Sequence, residues 1–211
     1  MTGRPRGDHP DHQDLVDAAQ RCFLEAGYAN ATMRDIAEEA GTSTSRLYVA
    51  FENKQAMLVA VLSAANTRLL NGFLIPALNE PVPPWDRVMA LVEAYLRFYT
   101  EERELATLMA TTRLDPEDPD PAMRELVATQ QAQMERLTAL IRELTDDHDN
   151  EIDASHVVRW AWAAVYGVAS INMRLPHLSV DDDELDRIVG LGMRFIRAGL
   201  REAGKLSPTS R

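Results

Sequence analysis

Apolar side chains in this sequence return every third or fourth position, and no convincing stretch alternates apolar with polar residues as a half-buried strand would. That spacing restricts the chain to helices packed on helices, because a helix with an apolar stripe must bury it against another element. The fold class is therefore all-α. Clusters of Gly, Pro, Asn and Asp divide the 211 residues into about nine helices.

The punctuation is sharpest near the N-terminus. A polar arm, residues 1–10, contains Gly3-Arg4-Pro5-Arg6-Gly7. The first helix is expected over Asp11–Ala26, with Leu15, Ala19, Cys22, Phe23 and Ala26 as its stripe and Gly27 as its stop. Thr32, followed by Asp35, has the spacing of a capping box and opens a second helix that ends at Ala40-Gly41. A third, short helix begins at Thr42 or Ser43 and reaches about Ala50. Asn53 then caps a linking helix over residues 53–72, with Met57, Leu58, Val61 and Leu62 inward.

Two short helices joined by a turn glycine and flanked by a supporting helix have the geometry of a helix-turn-helix. Such a unit needs small residues where the helices touch (Ala37, Ala40) and a turn glycine (Gly41). It also needs apolar pins from the last helix into the core, here Leu47 and Phe51. The other face of that helix is then free to enter a major groove. Residues 11–60 are read as this domain and 73–211 as a second, helical one.

In the second part, three prolines in Asn79–Pro84 form a boundary loop. A helix from Trp85 carries Val88, Leu91, Val92, Tyr95, Leu96 and Tyr99, and a shorter one spans Glu104–Arg113. Asp120 caps the next helix, with Pro121 at its first position, and that helix runs to Leu144. Asp153–Leu175 is apolar almost all round between Trp160 and Ala169. Ser179 with Asp182 is expected to cap the last helix, whose stripe is Leu185, Ile188, Val189, Gly192, Phe195, Ile196 and Gly199. The glycines suggest close helix–helix approach. The two helices, about 153–175 and 182–203, offer one face to the body core and one to the same pair in a second copy, an isologous homodimer contact.

Charge bounds the function. The net charge of −11 excludes a general nucleic-acid coat protein, although a sequence reader needs only a suitable local field. Over the first sixty residues six bases stand against nine acids, so the head itself is not basic. Cys22 is the lone cysteine and sits on an apolar stripe, so it reads as a structural thiol in a reducing compartment. Met1–Pro10 lacks the apolar segment of a secretory leader, and Trp160–Ile171, the longest nearly uncharged apolar run by this reading, is too short for a bilayer, which needs about 20 residues. A cytoplasmic protein is expected. No metal-spaced His/Glu pair, phosphate-cradling loop or nucleophile–base pair is visible, so neither an enzyme nor a cofactor is expected. Asp8-His9-Pro10-Asp11-His12 and Asp146-Asp147-His148-Asp149 read as solvated segments with no metal.

The head resembles the TetR family of transcriptional regulators. The resemblance rests on Gly27-Tyr28, Thr32-Met33-Arg34-Asp35-Ile36-Ala37, Ala40-Gly41, Ser43, Leu47-Tyr48, Phe51 and Asn53-Lys54-Gln55-Ala56-Met57-Leu58. It implies that Thr32 and Tyr48 hydrogen-bond DNA phosphates and that Lys54 neutralises one at a helix N-terminus. It places Arg34, Ser43, Thr44, Ser45 and Val49 toward the major groove. Thr42, Ser45, Arg46 and Ala50 depart from the family pattern, and Arg46 adds a charge near the DNA backbone. Arg4 and Arg6, in a segment similar to an AT-hook core, are candidates for the minor groove.

The resemblance also implies a ligand-binding and dimerisation domain in the body. Candidate pocket residues are Trp85, Phe98, Tyr99, Met109, Met134, Trp162, Tyr166 and Met173, with Arg113, Gln130 and Asn172 as polar anchors. The implied function is a dimeric repressor, released from a palindromic double-stranded DNA operator by an unknown small-molecule effector. The alternative is a small-molecule binding protein whose head has weak or lost DNA affinity.

Overall fold

A computed structural model of the chain describes residues 10–113, 120–144 and 153–202. Arg4 and Arg6, and the clusters at 8–9 and 146–149, lie outside the described residues. Among the described residues there are nine helices and no strand. They are α1 (His12–Ala26), α2 (Met33–Glu39), α3 (Thr44–Ala50), α4 (Lys54–Leu78), α5 (Pro84–Glu101), α6 (Arg103–Thr111), α7 (Pro121–Leu144), α8 (Ala154–Arg174) and α9 (Asp182–Glu202). A single 3₁₀ turn, Pro176–Leu178, follows α8.

The chain divides into two compact units. The first takes the described residues up to Ala65 together with 120–126; the second takes 66–113 and the remainder from Val127. In the first unit α1 packs on α2 and α2 on α3. Leu15, Val16, Ala19 and Phe23 of α1, Ile36 and Ala37 of α2, Leu47 of α3, and Met57, Val61 and Leu62 of α4 are buried. Both positive-φ residues among the described residues are the expected stops, Gly27 (φ 78) and Gly41 (φ 65).

The caps follow side-chain chemistry. Thr32 Oγ1 accepts from the Asp35 N–H at 3.2 Å, while the Thr32 N–H and hydroxyl donate to Asp35 Oδ2 at 2.9 and 2.7 Å. Those bonds to Thr32, the hydroxyl's first, hold the Asp35 carboxyl below its usual range. An equivalent box, Asp11 with Asp14, opens α1. The Ser43 hydroxyl accepts from the Arg46 N–H at 3.3 Å, Asn53 caps α4 through the Ala56 N–H at 2.9 Å, and Asp120 caps α7 through the Ala122 N–H at 2.9 Å. The last helix differs from expectation: Asp181, in place of Ser179 with Asp182, accepts from the Glu184 N–H at 2.8 Å.

Helix α4 runs past the expected end at residue 72. Pro76 has no N–H to give the carbonyl of Gly72, and its ring crowds that carbonyl in an α-helix. The helix widens instead into a π turn, Leu70–Leu74, in which the Ile75 N–H reaches the Leu70 carbonyl, and then continues to Leu78. Contrary to the sequence reading of Trp160–Ile171, α4 holds a stretch long and apolar enough to cross a membrane by length and composition. Its buried side chains, Met57, Val61, Leu62, Ala65, Leu69 and Phe73 among them, are core residues of the folded chain.

The second unit buries Phe73, Trp85, Leu91, Leu96, Phe98, Tyr99, Leu140, Val165 and Met193 in one cluster. Helix α5 touches α6, α8 and α9, and α8 packs on α9. Helices α8 and α9 each carry more apolar surface than their own unit covers. The stripe of α9 is two faces: Leu185, Val189, Met193 and Leu200 are buried, whereas Ile188, Leu191 and Phe195 are exposed. Helix α8 is not buried all round either, since Trp160, Trp162 and Ile171 are exposed. Nor do the glycines mark close packing within the chain, because a methyl group built on Gly167, Gly192 or Gly199 meets nothing within 4 Å.

Removing the Thr32 hydroxyl leaves an N-terminal donor of a seven-residue helix without its partner. Thr32→Ala is expected to lower unfolding free energy by about 1 kcal/mol, with Thr32→Ser largely neutral, in urea denaturation. A carboxyl held low in the folded state stabilises above the unfolded value, near 3.9, and that stabilisation is lost as pH falls through the folded one. The acid side of the stability profile is therefore expected to flatten in Asp35→Asn.

Candidate nucleic-acid interface and ligand cavity

Helix α3 has only seven residues, too few to hold its shape alone. Its position comes from Leu47, which has no exposed surface, and from Phe51 just beyond it, 6% exposed and in ring contact with His12 at 4.9 Å. With that side fixed, the opposite side faces water. Ser43, Ser45 and Arg46 are exposed and Thr44 is half-buried. Tyr48 is 52% and Val49 89% exposed. A valine standing almost wholly in solvent on a helix so firmly pinned is an unused apolar contact, of the kind a thymine methyl fills. Arg34 is exposed on α2. The Thr44-Ser45-Arg46-Tyr48-Val49 surface is thus assembled on one short rigid element.

Two expected phosphate ligands sit differently. The Lys54 ammonium donates to the backbone carbonyls of Tyr28 (2.7 Å), Ala31 (2.9 Å) and Ala29 (3.3 Å) and lies 4.6 Å from the centre of the Tyr28 ring. Three carbonyls match the three protons of an ammonium. Lys54 thereby ties the start of α4 to the loop between α1 and α2, and its charge is directed inward. Thr32 has its hydroxyl proton on Asp35. Tyr28 packs edge-on against Phe23 at 5.3 Å, a staple for the same loop. The Cys22 thiol is half-buried and raised, by burial first and then by Glu39, Asp35 and Glu25, which keeps it protonated.

The second unit contains an apolar cavity of about 150 Å³, open to solvent along part of its length. Leu70, Leu74 and Ile75 of α4, Trp85, Leu91 and Tyr95 of α5, Met134, Leu137 and Leu140 of α7, and Val158, Trp162 and Val165 of α8 line it. Its polar groups are few. The Trp162 indole N–H donates to Tyr95 Oη at 2.9 Å, and Tyr95 Oη lies 3.3 Å from Tyr99 Oη. Burial pushes the Tyr95 and Tyr99 hydroxyls up, so both stay protonated. Gln133 and Arg136 complete the lining; Gln133 also donates to Asn66 Oδ1 at 3.3 Å.

Of the residues expected around a ligand, the cavity takes Trp85, Met134 and Trp162. Phe98 and Tyr99 lie in the core behind it, in ring contact with each other and with Phe73 and Tyr166 respectively. Tyr166 stacks on Trp162 and donates to the Ala110 carbonyl at 3.0 Å, so it supports the wall. Met109 packs against the core cluster. Arg113 is exposed and does not line the cavity. The side chains of Asn172 and Met173 lie outside the described residues. Gln133, one helical turn on from Gln130, lines the cavity together with Arg136, which nothing local in the sequence distinguishes from a solvated arginine. Among the described residues no group of three or more His, Cys, Asp or Glu side chains is placed to hold a metal ion.

Lys54 gives a direct test. Lys54→Met leaves three carbonyls without their donor, and is expected to destabilise the protein by about 1–3 kcal/mol in chemical denaturation. The salt dependence of DNA binding is expected to stay unchanged in the variant, because the ammonium is committed to the loop; a slope reduced by about 1 would return Lys54 to a phosphate.

The family of bacterial regulatory proteins of the tetR type matches residues 15–61, and the tetracyclin repressor-like C-terminal domain matches residues 88–195. The HTH-type transcriptional regulator Rv1255c of Mycobacterium tuberculosis is 30% identical over 99 residues, 47% of this chain and 48% of that protein. The HTH-type transcriptional repressor AcnR of Corynebacterium efficiens is 35% identical over 57 residues, 26% of this chain and 30% of that protein. The matched region therefore spans about half the length of the former relative or less than a third of the latter. A TetR-like transcriptional regulator from Rhodococcus superposes with a TM-score of 0.65 at 21% identity, covering 94% of this chain and 99% of that one, which establishes the shared fold. With a head and a body that each match their family counterpart, the chain belongs to the TetR family of transcriptional regulators.

Proposed function

We propose that the protein is a dimeric, sequence-specific repressor that leaves a palindromic operator when a small apolar molecule enters the body cavity. The observation that carries this reading is the recognition surface on α3: Leu47 fully buried, with Tyr48 and Val49 exposed beside Ser45 and Arg46. Such a surface costs solubility and gains nothing in the isolated chain, so a macromolecular partner accounts for it. That the relative AcnR is named a repressor supports the sign of regulation. DNA binding, not catalysis, is the activity proposed, in the cytoplasm where DNA is reached directly.

Dimerisation is supported by the outer faces of α8 and α9. Trp160 and Ile171 on α8 and Ile188, Leu191 and Phe195 on α9 are exposed apolar side chains on the two helices already suspected of meeting their own copy. Ala163, Gly167 and Gly192 lie along the same faces and leave room for close approach. Two copies related by a two-fold axis would present recognition helices to successive major grooves about 34–36 Å apart. The arm carrying Arg4 and Arg6 is assigned to the adjacent minor groove.

A second reading, a ligand-binding protein with little DNA affinity, is favoured by the acid surplus of the head and by the inward commitment of Lys54. Retardation of a genomic fragment spanning the protein's own gene at low salt separates the two, since the second reading expects none.

Phe195→Glu is expected to yield a folded monomer by sedimentation, because its side chain is already 66% exposed and contributes little to folding of the single chain. Operator affinity should fall with it at least tenfold. Arg46→Ala is expected to weaken binding and to reduce the slope of log affinity against log salt by about 1. An unchanged slope would remove Arg46 from the interface.

A further inference from the structure

Among the described residues, Arg136 is the only charged one lining the cavity. The chain has 33 acidic residues against 22 basic, yet no carboxylate lines this wall. Arg136 is exposed, so it stands where the cavity meets solvent, and it makes no ion pair or hydrogen bond among the described residues. One turn before it on α7, Gln133 lines the same wall with an amide already turned to Asn66. Farther in, the buried Leu91, Val158 and Val165 offer no charge at all. A second guanidinium, Arg197, lies 5.1 Å from the centre of the Trp85 ring, another lining residue.

An apolar cleft with a cation at its mouth selects by both ends of a molecule. Apolar surface placed in the cleft gains from burial. An anionic head at the mouth gains a charge-assisted, bidentate pairing that a hydroxyl or ester cannot match. A cationic head is rejected by the same field. We infer that the body cavity binds an amphipathic anion, an aliphatic body ending in a carboxylate or phosphate, with Arg136 pairing its head.

This inference rests on the ligand-cavity reading above, and the test keeps the two apart. Isothermal titration calorimetry on the full-length protein, with decanoate, decyl phosphate, decanol and decyltrimethylammonium below their micellar concentrations, separates body from head. The expected order is both anions over decanol by at least tenfold, with the cation weakest. Arg136→Gln is expected to remove the preference for the anions over decanol without shifting the thermal melt, and Arg136→Lys to restore part of it. The tighter of the two anions identifies the headgroup. Equal binding of decanoate, decyl phosphate and decanol, or an anion preference that survives Arg136→Gln, overturns the inference and leaves the cavity reading standing. Binding by none of the four overturns both.

Discussion

The burial of Leu47 is the constraint from which the rest of the head follows. A seven-residue helix forms too few internal hydrogen bonds to be stable in water. One side chain with no exposed surface sets both its existence and its rotation. Because residues of a helix turn by about 100° each, fixing Leu47 inward determines that Tyr48, Val49 and Ser45 look outward. The reading surface is thus a consequence of the core. Substitutions on the outer face leave Leu47 and Phe51, and with them the rotation of α3, in place.

How much of this was legible in the sequence depends on how far apart the interacting groups lie. The Thr32–Asp35 box, the Asn53 and Asp120 caps and the Gly41 stop are chemistry among residues within four positions, and periodicity with cap rules finds them. Lys54 was placed on DNA because its fate is decided by carbonyls 23 to 26 positions away, which no local pattern reports. The cap of α9 fell to Asp181 for a smaller reason: three consecutive acids offered nearly equal caps, and the chain path into the helix chose among them. Cavity residues were the hardest. Aromatic type led to Phe98 and Tyr99, but those rings fill the core, while the wall is made largely of aliphatic side chains that composition does not mark.

The same limit explains the outer faces of α8 and α9. Hydrophobic periodicity registers that Ile188 and Val189 are both apolar, but not that one meets the body and the other meets water. A helix with an apolar arc wider than its own subunit can cover reads as merely buried in one dimension. In three dimensions the surplus becomes an exposed face, and the glycines on it have nothing within 4 Å of an added methyl group.

Helix α4 contributes residues to both units. It begins at Lys54, tied to the loop before α2, and its last turns carry Leu70, Leu74 and Ile75 into the cavity wall. A ligand alters DNA affinity only through contacts that differ between two states. The π turn at Leu70–Leu74 spaces its carbonyls for a bond one residue longer than in the α-helix on either side. Pro76 holds the far end, since it cannot donate to Gly72 and so prevents the helix from simply closing into a regular one.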